Sequence, residues 1–360
     1  MTLWGKDTVL VRKVGKVGKV RRQKGVRGAE DRKFLDFAYL AGSDFMMDTT
    51  ATSSGLSDFT DFRTNPPYLK AGDKIAVTCP AKKLPNPMTD AINLLQSWGL
   101  EVVLGDTVNA SWHQFAGDDE FRAKDFQRFI DDDSIKAIIA ARGGYGTVRM
   151  IDMVDFSRFA THPKWVVGFS DITLLHAHLF ANFNAPSIHG QMPMTIPDAS
   201  KRSLDTLRKA LFGEAISYQL EPHALNRHGE GEGLLIGGNL SLLLSLSGSV
   251  SDMDYTGKIL FIEDVSEYLY SIDRMLRALK RAGKLAKLNG LIVGGFTDVK
   301  DNDIPFGQTV PEIVMEVVKD YDYPVCFDFP AGHVPDNCSL VLGKLLHLSV
   351  TKSGANISYS

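Results

Sequence analysis

The chain has 360 residues, 44% apolar and 23% charged, a composition that excludes a wholly disordered protein. Its length exceeds one ordinary core and predicts two domains. The formal charge of −3 argues against a broadly nucleic-acid-binding protein, but it averages two unlike parts. Residues 1–29 carry nine basic side chains, from Lys6 to Arg27, against one acid, Asp7; the rest carries 31 basic and 42 acidic side chains, a net −11.

Residues 1–65 read as a basic and polar arm without helical or strand periodicity, expected to be disordered or to lie upstream of a start at Met46 or Met47. Charge runs are usually solvated, so the arm is not expected to carry chemistry. An apolar run at residues 34–42 is interrupted by Asp36 and lacks a small-residue cleavage pattern, so export is not expected. No uncharged apolar stretch reaches the length of a membrane-spanning helix. Cys79, Cys326 and Cys338 are far apart and fit neither a disulfide framework nor zinc-ligand spacing, which favours a reducing, cytoplasmic setting.

From residue 66 the pattern becomes regular. A strand at 74–79 precedes a helix at 88–99, and a short strand at 101–104 precedes a helix at 121–130. Apolar runs at 135–141 and 165–169 read as buried strands, each followed by a helix, at 147–154 and 172–180. Strands alternating with helices predict an α/β fold with a mainly parallel sheet over residues 66–195. Residues 196–230 are polar and read as a linker with a helix at 204–211. A second α/β domain, rich in strands, is expected over 231–360, with strands at 234–236, 258–262, 291–294, 325–329 and 345–350 and helices at 271–282 and 310–320.

The segment Val166-Val167-Gly168-Phe169-Ser170-Asp171 runs a buried strand into a serine and then at once into a helix. A serine on so tight a turn projects its hydroxyl from the sheet edge, where a helix N-terminus favours developing negative charge. The alternative is that Ser170 or Asp171 is an ordinary helix cap. Arg142-Gly143-Gly144-Tyr145-Gly146 is a second strand-to-helix turn, and its glycines would let backbone N–H groups approach an anion. It matches neither a dinucleotide fingerprint nor a Walker loop, and no metal-ligand motif or cofactor site is read from the chain. A serine nucleophile needs a base and an orienting carboxylate. His333, in a Gly/Pro-rich loop after a strand, is the first choice of base and His189 the second; His176 and His178 read as packing or solvated. Glu263 and Asp264 are expected to end the strand at 258–262.

AGDKIAVTCPA, ARGGYG, VVGFSDIT, SIHGQM, GGNLSLL, LFIEDVSEYLYSIDRML, LNGLIVGGFTD and FPAGHVPDN together resemble, in order, the LD-carboxypeptidase family of serine peptidases. That family comprises the muramoyl-tetrapeptide carboxypeptidases, with the microcin-immunity peptidases as a branch. The resemblance spans roughly residues 66–355 and implies a catalytic triad of Ser170, Glu263 and His333, with Ser170 in one domain and the other two in the next. It also implies backbone N–H donors at Asp171, Gly143 and Gly144, a murein tetrapeptide substrate that loses its terminal D-Ala, and a homodimer. The microcin-immunity branch implies the same triad acting on a peptidyl- or aminoacyl-nucleotide conjugate. A non-catalytic protein that binds a small anion is the reading from another class. A carboxypeptidase must also recognise a free carboxylate, for which Arg142 and Arg274 are candidates.

Overall fold

Strand β1 (Lys74–Thr78), β3 (Ile135–Ala140) and β4 (Trp165–Gly168) are almost wholly buried in the computed structural model, which describes residues 65–360. The arm lies outside the described residues. Apolar runs buried on both faces are what a parallel sheet covered by helices demands. Those three pair in parallel with one another and with β2 (Glu101–Leu104) and β5 (Ser187–His189). Helices α1 (Thr89–Ser97), α2 (Asp119–Asp131), α3 (Thr147–Met150), α4 (Ser157–Thr161) and α5 (Thr173–Phe183) fill the connections.

After α6 (Lys201–Phe212) the chain enters a second sheet. Its strands are β6 (Ser217–Leu220), β7 (Gly229–Asn239), β8 (Ile259–Val265), β9 (Gly290–Thr297) and β10 (Val325–Cys326), then β12 (Leu345–Thr351) and β13 (Gly354–Tyr359). The seven lie in the order β10-β9-β8-β7-β12-β13-β6. The run from β10 to β7 is parallel and carries α7 (Leu240–Ser245), α8 (Leu269–Arg281) and α9 (Val310–Val317). Helix α8 buries Ile272, Met275, Leu276 and Leu279, the spacing of one helical face. From β7 to β6 the pairing is antiparallel, and β12 alternates buried with half-buried residues, as a strand with one wetter face does.

Strand β11 (Leu340–Leu342) does not join its sequence neighbours. It pairs antiparallel with β5 and closes the first sheet as a sixth strand. The segment from β10 to β11 therefore runs from the edge of one sheet to the edge of the other, and His333 lies on it. All these elements belong to one compact unit. Among the described residues no helix is long and apolar enough to cross a membrane.

Several sequence expectations need correction, among them the strand expected at 325–329, which is only Val325–Cys326. The helix expected at 147–154 stops at Met150 and continues as a 3-10 turn, Ile151–Met153. The polar stretch 196–230 holds β6, whose only buried residue is Tyr218, too weak a signal to read. Strand β8 does not end before its carboxylates but runs to Val265, with a register shift between Ile262 and Asp264. The irregularity breaks strict alternation, and Glu263 and Asp264 are both buried.

Candidate active site

Strands β3 and β4 are neighbours, so the turns leaving their carboxyl ends face each other. Ser170 follows β4 with φ +63°, in the left-handed region, after Gly168 at φ +157°. The caps of the 3-10 turn and of α5 are Phe169 and Ile172, and the Ser170 hydroxyl makes no hydrogen bond among the described residues, so this serine is not a helix cap. A strained backbone of this kind costs about 1–3 kcal/mol and is held by its surroundings. Imidazole Nε2 of His176 is 2.9 Å from the Gly168 carbonyl, and Asp171 pins the other side. The buried Asp171 carboxylate accepts hydrogen bonds from the Thr147 N–H (2.9 Å) and hydroxyl (2.6 Å), tying the serine turn to the helix that follows the glycine turn.

Gly143 sits tightly against the serine: a Cβ at this position would come within 3.1 Å of Ser170 Cβ. Gly144 has φ +110°. Among the described residues neither glycine N–H donates a hydrogen bond, so both donors beside Ser170 are free. The buried Arg122 fixes the far end of this turn, donating from Nη1 to the carbonyls of Gly146 (2.9 Å) and Pro80 (2.5 Å), while Nη2 pairs with Asp119. A fully buried arginine on helix α2 was not foreseen, because its surroundings in sequence are those of a solvated face.

Glu263 and His333 come together. Oε2 of the buried Glu263 lies 2.8 Å from His333 Nδ1, the geometry of a ring N–H held by a carboxylate. Gly332, at φ +116°, makes the approach possible, since a Cβ there would sit 2.9 Å from Glu263 Cβ. The His333 ring meets Phe169, the residue before Ser170, edge-on at a centroid distance of 5.0 Å. Across the sheet, Glu263 pairs with Asn239, whose backbone N–H donates to Thr173 Oγ1 at 3.0 Å. The carboxylate–imidazole pair and the serine turn are thus docked at adjacent residues, although Ser170 and His333 share no direct hydrogen bond among the described residues.

The other candidates have different tasks. His189 is buried, and its Nε2 lies 3.2 Å from Asn337 Oδ1, the same oxygen that accepts the Gly332 N–H at 2.9 Å. It braces the His333 loop through Asn337. Asn337 was not singled out, though it stands in the FPAGHVPDN segment. His178 is near Ser251, Arg142 donates to the Lys83 carbonyl, and Arg274 lies over the Tyr270 ring. Asp264 accepts from Asn239, Ser241 and Val265, and burial pushes its carboxyl up to about 6. Among the described residues no group of three or more His, Cys, Asp or Glu is placed to hold a metal ion.

Burial lowers His176 to about 4 and, with His176 close by, His189 to about 3. Both are neutral in the fold, while the unfolded chain takes up protons once the pH falls below about 6.5. Their contribution is therefore full above about 6.5 and is lost as the pH falls toward those lowered values. Asp264 opposes this between about 6 and 3.8. Urea denaturation from pH 7 to pH 4.5 should show a smaller loss of stability for His189→Gln than for wild type. Equal losses would contradict the assignment of a neutral His189.

The family model described as LD-carboxypeptidase N-terminal domain matches residues 75–190, and that described as LD-carboxypeptidase C-terminal domain matches residues 232–348. A probable murein peptide carboxypeptidase of Bacillus subtilis is 34% identical over 304 residues, 81% of this chain and 93% of the relative. The chain belongs to the LD-carboxypeptidase family. Membership makes it a serine-type carboxypeptidase, a hydrolase. The crystal structure of a muramoyltetrapeptide carboxypeptidase from Oxalobacter formigenes is similar at TM-score 0.73 and 29% identity, covering 80% of this chain and 98% of that one. The microcin C7 self-immunity protein MccF of Escherichia coli is 25% identical over 302 residues, 74% of this chain and 86% of that protein.

Proposed function

We propose that this carboxypeptidase cuts the L,D-peptide bond of a murein tetrapeptide and releases its terminal D-Ala through a Ser170–His333–Glu263 triad. The observation that carries the reading is the pairing of the buried Glu263 with the half-buried His333 beside the serine turn. His333 Nε2 takes the Ser170 proton as Oγ attacks the scissile carbonyl carbon. The oxyanion forms beside the free N–H groups of Gly143 and Gly144, with the Asp171 N–H at the start of the helix as a further donor. The tetrahedral intermediate collapses, the C–N bond breaks, and the imidazolium gives its proton to the leaving amine of D-Ala. Water, deprotonated by the same imidazole, then opens the acyl-enzyme and restores Ser170. Glu263 holds the ring tautomer and stabilises the imidazolium in both halves. The serine comes from the segment matched by the N-terminal family model, and Glu263 and His333 from that matched by the C-terminal one.

Likeness to the microcin C7 self-immunity protein supports a second substrate, an aminoacyl- or peptidyl-nucleotide conjugate. Parallel incubation with L,D-tetrapeptides carrying lysine or diaminopimelate at the third position and with an aminoacyl-sulfamoyl adenosine, followed by mass detection, separates the two. Tripeptide plus D-Ala is the expected product. Cleavage of the conjugate alone transfers the triad to the second reading. Binding without cleavage of either substrate would leave a non-catalytic anion site and overturn both.

A further inference from the structure

The residue that reads the substrate's free carboxylate has still to be found, and the cations around the glycine turn differ in whether they are already engaged. Arg122 and Arg149 both pair with Asp119, and Arg122 is buried. Lys83 Nζ donates to Ser111 Oγ at 2.9 Å, and Arg142 is anchored through Nη1 to the Lys83 carbonyl at 2.8 Å, although its buried Nε has no hydrogen-bond partner among the described residues. Lys82 is the exception: its ammonium has no hydrogen bond and no ion pair among the described residues. It is not a loose side chain. Its backbone bridges Phe115, flanked by hydrogen bonds from Ala116 N–H to the Ala81 carbonyl and from Lys83 N–H to the Gln114 carbonyl. Its methylene stem lies on Gly144, where a Cβ would come within 2.6 Å of Lys82 Cδ. Gly143, next in the turn, lies on Ser170 in the same way.

Ser170, the two glycines and Lys82 therefore form a contiguous row. In a C-terminal residue the carboxylate carbon is three covalent bonds from the scissile carbonyl carbon, about 3–3.8 Å away. A receptor for it must stand next to the oxyanion donors, and the ammonium of the half-buried Lys82, which has no hydrogen bond or ion pair among the described residues and only a longer-range attraction to the buried Asp171, meets that need. We infer that Lys82 binds the terminal carboxylate of the substrate and makes the enzyme a carboxypeptidase rather than an endopeptidase. The inference rests on the proposed cleavage of a tetrapeptide by Ser170. Its effect is on binding, since the carboxylate carries the same charge in the ground state and the transition state.

The test compares Lys82→Met, Lys82→Arg and wild type on an L,D-tetrapeptide ending in a free D-Ala carboxylate and on the same peptide ending in D-Ala amide. Wild type should prefer the acid. Lys82→Met should raise KM for the acid about 10–100-fold with kcat near wild type, leave the amide unchanged, and so erase the preference. Lys82→Arg should restore most of it. Unchanged amide turnover also reports that the variant is folded. An undiminished acid-over-amide preference in Lys82→Met, or an equal loss on both peptides, overturns the Lys82 assignment while the cleavage reading stands. A wild type inactive on both peptides overturns the cleavage reading, and this assignment with it.

Discussion

Ser170→Ala should lower the rate of D-Ala release by about 10⁴-fold or more while thermal stability changes by less than about 0.5 kcal/mol. The two halves of that expectation follow from different features. Among the described residues the hydroxyl makes no hydrogen bond, so its removal leaves no partner there unsatisfied. The backbone strain at φ +63° belongs to any residue with a Cβ and is unchanged in alanine. Ser170→Gly extends the argument: it should be as inactive as alanine yet more stable by about 1 kcal/mol, because glycine adopts positive φ freely. A serine conserving only structure would give the reverse pattern, with activity following stability. Mass detection of tripeptide and thermal melting of the three proteins make the comparison, and turnover of Ser170→Ala within tenfold of wild type would sink the nucleophile assignment.

The parts of this site that can be read from sequence are those built by local chain geometry. A buried strand, a glycine, a serine and an immediate helix specify the turn at Ser170, and the same logic finds Gly143 and Gly144. What stays hidden depends on pairings distant in the chain. Strand β11 has three residues, and only its pairing with β5 shows why the His333 loop crosses from one sheet to the other. Two adjacent carboxylates normally mark a strand end, since alternation would place one in solvent; the register shift in β8 buries both. Asp125 and Arg122 look like the wet face of helix α2. The first accepts hydrogen bonds from Thr78 and Thr107, and the second holds Gly146. Lys82 and Lys83 are identical in sequence, and only their contacts separate the engaged ammonium from the open one.

Glu263→Gln should reduce kcat about 10³–10⁴-fold with little change in KM, by the logic of other triads. The substitution is nearly isosteric, as it must be where Gly332 leaves no spare room against the side chain. If the amide oxygen faces His333, it still accepts the Nδ1 proton but brings no charge to balance the imidazolium formed during attack. If the amide nitrogen faces His333, it donates to Nδ1, forces the proton onto Nε2, and leaves no lone pair to receive the Ser170 proton. Either orientation disables the base. Stability should hold or rise, because Glu263 Oε1 is buried without a hydrogen-bond partner among the described residues and a neutral amide is cheaper to desolvate than a carboxylate. That opposition is the diagnostic feature: a merely structural glutamate would lose stability and activity together. Glu263→Asp, which keeps the charge but draws it back by one methylene, should fall between glutamine and wild type in kcat. A Glu263→Gln enzyme with kcat within tenfold of wild type would mean that His333 works without its carboxylate, and the triad would then reduce to a Ser170–His333 pair.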